Sequence, residues 1–157
     1  MRFTFGRRGL PAGVELAKGD RALTYAKAAG GGHVVVTDNA LYLDDGTRLP
    51  WHTIDRGLWD EDGITVITTD GGRHRALLPD PGRVPEAVRE RVTSSIVVNQ
   101  HVPLPGRGGV RLVARRVPGQ PELLWEFVFD QGLDPDDPGL RAHAEQALEE
   151  VRRSLGV

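Results

Sequence analysis

The chain has 157 residues, of which 39% are hydrophobic and 27% are charged, a composition that supports one domain with a real core. The formal net charge of -2 argues against a nucleic-acid binder that relies on bulk positive charge. Without cysteine the chain has no disulfide, thiol nucleophile or thiolate metal site. No apolar run reaches the length of a membrane span or resembles a signal peptide, so we expect a cytoplasmic protein.

Residues 21–78 have the pattern of short strands separated by tight turns. β-branched or apolar runs such as Val34–Val36 and Ile64–Thr69 end at turn residues rich in Asp and Gly, including Asp44-Asp45-Gly46 and Asp70-Gly71-Gly72. Turn signals about every eight to twelve residues are typical of antiparallel sheets. The segment is therefore predicted to form an antiparallel meander or a small barrel.

The hydrophobic period changes after residue 82. Val84, Val88, Val92 and Ile96 recur four residues apart, and Pro85 suits a first helical turn. This spacing predicts a helix over 85–97. The β-branched residues near its end could equally begin an extended segment toward residue 104, and this alternative stays open.

A strand pair is predicted over 110–129, with one strand before Pro118 and one after Pro121. The second strand, Glu122–Phe129, is apolar on both faces. Its aromatic residues share one face, and the other face carries Leu124, Val128 and Glu126. We expect this strand to be central in its sheet, with the aromatic face in the core.

The last element is a helix over 138–155. Asp137 is placed to cap its N-terminus, Pro138 suits the first helical position, and Gly156 follows the last periodic residue. An apolar stripe runs along one side from Leu140 to Leu155. The pattern predicts an amphipathic helix that packs across a sheet.

Two motifs in the meander carry a resemblance to a known family. Thr37-Asp38-Asn39-Ala40-Leu41-Tyr42 is followed by Pro50-Trp51-His52-Thr53-Ile54, and this order resembles bacterial pleckstrin-homology-like (PH-like) domains, in which a closing helix caps an open barrel. The resemblance implies an α+β fold within a single domain over 1–157. Helix 85–97 would be inserted, and helix 138–155 would be the C-terminal cap. The chain also resembles an uncharacterised actinobacterial protein family, and this resemblance implies no particular activity.

The five histidines show no metal-ligand spacing such as His-x-x-x-His. We therefore predict no metal site, no cofactor and no catalytic residue. Convergence of His52, His74 and His101 from distant positions would instead give a small enzyme with a His/Asp pocket, and this alternative stays open.

Arginines form the other notable group, and Arg73 and Arg75 precede a denser run. Four of them lie in the segment 107–116, where they could line a groove for an anionic ligand, such as a lipid headgroup or RNA. Trp59, beside Asp60, is a candidate for contact with a partner. The predicted binding residues are Arg107, Arg111, Arg115, Arg116 and Trp59.

The lack of a catalytic constellation favours a non-catalytic binding or scaffold module that acts through protein contacts. The alternatives are a binder of anionic or phosphate-bearing ligands through Arg107–Arg116 and the small enzyme described above. We predict a protein partner and a symmetric homodimer, since Glu122–Phe129 is apolar on both faces.

Overall fold

The computed structural model describes residues 10–106 and 108–157, which form three antiparallel sheets and two α-helices. The α+β class predicted from the sequence is confirmed. The chain divides into two units, Met1–Ser95 and Ile96–Val157. That the two units fold as one domain stays a prediction. Neither helix is long and apolar enough to cross a membrane, within the residues described.

The N-terminal unit contains two sheets. The first has strands in the order β1 (Ala22–Lys27), β2 (His33–Thr37), β3 (Ala40–Tyr42) and β4 (Arg48–Pro50). A single 3-10 turn at Trp51–Thr53 leads to the second, which has the order β5 (Ile54–Trp59), β6 (Gly63–Thr68) and β7 (Arg73–Leu77). Every strand is antiparallel to its sheet neighbours, so the predicted meander is confirmed. The described strands form no closed barrel.

Short aspartate-rich turns join these strands as the sequence predicts. The Asp60 carboxylate accepts hydrogen bonds from the backbone N–H groups of Asp62 and Gly63, at 2.8 and 3.0 Å, and closes the turn from β5 to β6. Asp70 accepts similarly from the Gly72 N–H at 3.1 Å in the next turn. Such side-chain bonds replace backbone pairing where the chain reverses.

One core lies between the two sheets and helix α1 (Val84–Ser95). Val34 and Val36 of β2 share this core with Ile64 and Val66 of β6. The helix contributes Val84, Val88 and Val92, the four-residue repeat seen in the sequence. It ends at Ser95, two residues before the end predicted from the sequence. Ile96 begins the next strand, which is the alternative that the β-branched residues left open.

Strand β2 is buried on both faces, because a second apolar cluster covers the outside of its sheet. Val35 on that face packs in one cluster with Ala40 and Tyr42. The chain before β1 supplies the cover through Leu10, Val14 and Leu16. We call residues 10–21 the N-terminal strap.

The carboxylate of Asp20 fastens the strap to the sheet. It accepts hydrogen bonds from Tyr42 Oη at 2.6 Å, Arg48 Nε at 2.8 Å and Asn39 Nδ2 at 3.1 Å, and its side chain is only 1% exposed. Burial raises the pKa of Asp20, but the hydrogen bonds from Arg48, Tyr42 and Asn39 outweigh it and hold the pKa below the ordinary carboxyl value.

The C-terminal unit is one sheet with one helix. Its strands are β8 (Ile96–Pro103), β9 (Gly109–Arg116) and β10 (Leu123–Phe129), and helix α2 (Pro138–Leu155) follows them. The sheet order is β8-β9-β10. The prediction that the 122–129 strand is central is therefore wrong. Strand β9 is central because it pairs with a neighbour on each side, and β10 lies at an edge.

Helix α2 covers one face of this sheet. Ala144, Ala147 and Val151 pack with Val110 and Leu112 of β9 in a buried cluster, and the aromatic side chains of β10 lie partly buried against it. The predicted caps are confirmed: the Asp137 carboxylate accepts from the Gly139 and Leu140 N–H groups, and Gly156 has a φ of +74°. The helix that shares a core with the 21–78 strands is α1.

Truncation of Leu112 tests the assignment of faces in the C-terminal unit. Leu112→Ala leaves a cavity in a fully buried position and is expected to lower the free energy of unfolding by about 2–5 kcal/mol. Leu124→Ala, at a half-exposed position on the other face, is expected to cost less than about 1 kcal/mol. Urea denaturation followed by circular dichroism compares them, and equal losses would contradict the assignment.

Asp20→Asn tests the role of the strap. We expect a loss of about 1–3 kcal/mol at neutral pH, because a buried charged acceptor with three donors is removed. Since the folded pKa is lowered, the stabilisation by Asp20 is present above the unfolded pKa of about 3.9 and is lost as pH falls through the folded value.

The difference in stability between the wild type and Asp20→Asn should therefore shrink below about pH 4. Denaturant unfolding over a pH series measures it, with the exposed-site variant Asp80→Asn as control. A difference that does not change with pH would mean that the charge of Asp20 is unimportant.

Candidate functional site

The outer face of the β5–β7 sheet is the clearest candidate interaction surface. Cross-strand register places Arg56, Ile67 and Arg73 in one row and Leu58, Thr65 and Arg75 in the next, with Leu77 beyond them on β7. We call these seven residues the basic sheet face. Three arginines and two exposed leucines thus lie on one side of a three-stranded sheet.

A register shift in β5 produces this arrangement. The shift lies between Ile54 and Arg56, so that Gly57 and Trp59, rather than Arg56, follow Ile54 onto the core face. A Cβ on Gly57 would lie 3.3 Å from Ile64 Cδ1, which confirms that this backbone faces the core. Moving the alternation by one residue turns every later side chain to the other face.

Exposed apolar area marks the basic sheet face. Leu58 is 44% exposed and Leu77 is 47% exposed, although both lie within regular strands. A single exposed leucine is ordinary, but two on one sheet face between cationic side chains are a feature of interaction surfaces.

The arginines of this face differ in their partners. Arg75 donates to Asp60 at 2.9 Å and to Thr65 Oγ1 at 3.1 Å. The hydrogen bond from Arg75, together with those from the Asp62 and Gly63 N–H groups, lowers the pKa of Asp60 to about 2. Arg56 pairs with Asp55 at 3.1 Å, with both side chains open to solvent. Arg73 is exposed and forms no ion pair within the described residues. The face therefore presents one uncompensated cation and two whose pairs are solvent-exposed.

Trp59, predicted as a binding residue, lies on the opposite side of the same sheet. It stands across from Ile64 and packs, half-buried, against the core. Its indole is thus part of the interior of the N-terminal unit.

The predicted arginine segment lies in the C-terminal unit and does not form one cluster. Arg107 lies outside the described residues. Arg111 and Arg115 fall on the sheet face away from α2, whereas Arg116 falls on the other face, opposite Leu123. Arg115 is buried and donates from Nε to Glu126 at 2.8 Å, while Arg111 is exposed and donates to Asn99 Oδ1 at 2.8 Å.

The same face brings a histidine against a carboxylate. His101 Nε2 lies 3.0 Å from Asp130 Oδ1, and both side chains are 39% exposed. Gly109 makes room for the ring, because a Cβ there would lie 2.6 Å from His101 Cε1 and 2.5 Å from the Val102 carbonyl oxygen. The pairing of β8 with β9 positions His101, and the loop after β10 supplies Asp130.

The His101–Asp130 pair lies on the face of the β8–β10 sheet away from α2, and both side chains are partly exposed. Arg111 lies directly opposite His101 in the strand register. The contact between His101 and Asp130 includes no serine, threonine or other nucleophile. Within residues 10–106 and 108–157, no group of three or more His, Asp or Glu side chains is placed to hold a metal ion.

The basic sheet face was not predicted as a site from the sequence. Alternation in Arg73-His74-Arg75-Ala76-Leu77 is the signal that could have found its β7 part, since side chains two apart share a face. The contribution of Arg56 and Leu58 depends on the register shift in β5, which no sequence pattern marks.

Comparison with known proteins identified no match: no family model, no curated protein and no solved structure is similar to this chain.

Proposed function

We propose that this protein is a non-catalytic binding module and that its N-terminal unit is PH-like. Support comes from the order of its elements, a four-stranded antiparallel sheet, a three-stranded antiparallel sheet and then a helix. Helix α1 takes the place of the closing helix, because Val84, Val88 and Val92 fill the core that both sheets share.

Its partner, in this proposal, is a protein surface that combines carboxylates with apolar side chains. The observation that carries the proposal is the composition of the basic sheet face, where Leu58 and Leu77 are exposed among three arginines. Solvent-exposed ion pairs such as Arg56–Asp55 contribute little to stability. Their guanidinium groups are therefore available to exchange an internal carboxylate for one on a partner.

A protein fits this face better than a small phosphate ligand. Arg56 and Arg73 are on β5 and β7, separated by β6, so their Cα atoms lie about 10 Å apart. Phosphate recognition requires donors that converge on one anion. The exposed leucines would gain nothing from such a ligand, whereas a protein surface would cover them.

The anionic-ligand alternative rests on Arg107–Arg116 in the other unit. Arg115 there is buried against Glu126, and Arg116 is on the opposite face from Arg111. Of the described arginines on the sheet face away from α2, Arg111 is the exposed one, and it donates a hydrogen bond to Asn99. The small-enzyme alternative would depend on His101 and Asp130, whose side chains are each 39% exposed.

An immobilised synthetic peptide of alternating glutamate and leucine tests the proposal. We expect the wild type to bind it more tightly than a matched lysine–leucine peptide. The Arg56→Glu/Arg73→Glu variant should lose about tenfold or more in affinity, because carboxylates on the peptide would then meet like charges. Biosensor titration at low salt measures this loss.

Arg83→Glu/Arg89→Glu is the matched control, since it makes the same change in net charge at exposed positions off the sheet face. Equal loss in this control would show a general charge effect and contradict the proposal. Binding to phosphatidylserine vesicles that Arg111→Glu abolishes and Arg56→Glu/Arg73→Glu preserves would instead support the anionic-ligand alternative.

A further inference from the structure

The edge of β10 that faces away from β9 presents backbone groups that no other strand of the described residues pairs with. The Asp130 N–H donates to the Gly109 carbonyl, which fixes the alternation of the ladder between β9 and β10. In an antiparallel pair only every second residue bonds to a given neighbour. Leu124, Glu126 and Val128 therefore bond to β9, and the N–H and C=O groups of the residues between them point away from it. These outward residues are Leu123, Trp125, Phe127 and Phe129.

Proline, lysine and a bulge, three of the features that protect edge strands, are missing from β10. Natural edges are blunted by proline, lysine or a bulge. The opposite edge of the same sheet, β8, has a register shift between Ile96 and Val98 and ends in Pro103. Strand β10 keeps regular register over all seven residues and contains neither proline nor lysine.

Both faces of β10 are apolar next to this edge. Leu124 is 48% exposed and Val128 is 49% exposed on the face away from α2. On the helix side, Trp125, Phe127 and Phe129 are only partly buried. A strand added beside β10 would cover side chains on both faces and pair the outward backbone groups at the same time.

We infer that β10 is a dimerisation strand, which pairs antiparallel with β10 of a second copy about a two-fold axis at Glu126. In this register Leu124 lies opposite the partner's Val128, so the two half-exposed aliphatic side chains cover each other. On the helix side Trp125 lies opposite the partner's Phe127, which extends the aromatic layer across the axis. The inference is independent of the function proposed for the basic sheet face.

The choice of axis follows from the backbone pattern. With Glu126 at the axis, all of the outward residues pair, Leu123 with the partner's Phe129 and Trp125 with the partner's Phe127. An axis at Trp125 or Phe127 leaves outward groups at one end without a partner. A second copy also fits better than an unrelated strand, because the surface is complementary to itself, as an isologous interface requires.

The two Glu126 side chains face each other at the axis, and an existing contact reduces their repulsion. Each carboxylate accepts from Arg115 Nε at 2.8 Å. Since Arg115 is on β9, this bond draws the carboxylate toward the middle of its own sheet and away from the free edge. At the axis, each Glu126 charge is thus compensated by Arg115 of its own copy.

Single cysteines test the register directly, because the chain has no cysteine of its own. Side chains at 124 and 128 of opposite copies would form non-hydrogen-bonded pairs, whose Cα atoms are about 4.5 Å apart, within reach of a disulfide. Leu124→Cys and Val128→Cys proteins should each resist oxidation to a dimer when alone. Their mixture should form a disulfide-linked heterodimer, visible when one protein carries a mass tag.

A mixture of Leu58→Cys and Leu77→Cys proteins is the control, since these leucines have similar exposure in the other unit. It should give no comparable cross-link. Equal cross-linking in the control, or in either β10 variant alone, would overturn the register.

Charge pairs give a second test without oxidation. Leu124→Lys/Val128→Lys places like charges opposite each other and should yield a monomer. Leu124→Glu/Val128→Lys places opposite charges in both pairs and should preserve the dimer. Light scattering measures the mass. A monomeric wild type at micromolar concentration, or the same mass for both double variants, would overturn the inference.

Discussion

Every strand sends alternate side chains to two faces, so a sheet is fully buried only when two layers cover it. This constraint accounts for the main features of the structure. The four-stranded sheet has both covers, since the core lies on one side and the strap fastened by Asp20 lies on the other. The β5–β7 and β8–β10 sheets each pack one face in an apolar cluster with a helix. Their other faces carry arginines, ion pairs and half-exposed aliphatic side chains beside buried Ile67 and Val113.

Both proposed interaction surfaces follow from this inequality. Where the strap covers β2, Val35 is buried in an apolar cluster with Ala40 and Tyr42. On the β5–β7 sheet no such segment is found among the described residues, and Leu58 and Leu77 share the surface with guanidinium groups. Edges obey the same reasoning, because one side of the β10 backbone has no neighbouring strand in the part of the chain that the structure describes. Binding of other molecules would cover the exposed leucines of the β5–β7 sheet and pair the backbone groups at the edge of β10.

Local signals in the sequence predicted the elements, whereas long-range register decided the sites. Turn aspartates and the caps of α2 were readable because each acts within a few residues. The order of β9 and β10 was not, since apolar residues on both faces of β10 predicted a central strand, whereas β9, which carries buried Arg115 paired with Glu126, is the central one. The placement of Trp59 depends on the register shift in β5, which turns it toward the core and leaves no mark in the sequence. The contact of His101 with Asp130 likewise depends on residues far apart in the chain.

Hydrogen exchange of the β10 amides at several protein concentrations tests the central claim. The claim is that the edge of β10 is unpaired in a single copy and pairs with β10 of a second copy. The amide of Glu126 bonds to β9 and should be protected at every concentration. The amides of Trp125 and Phe127 point outward and should exchange quickly in dilute protein, then slow as concentration rises and a second strand pairs with them. Fast exchange of Trp125 and Phe127 at all concentrations, or protection that is the same in dilute and concentrated protein, would contradict the account.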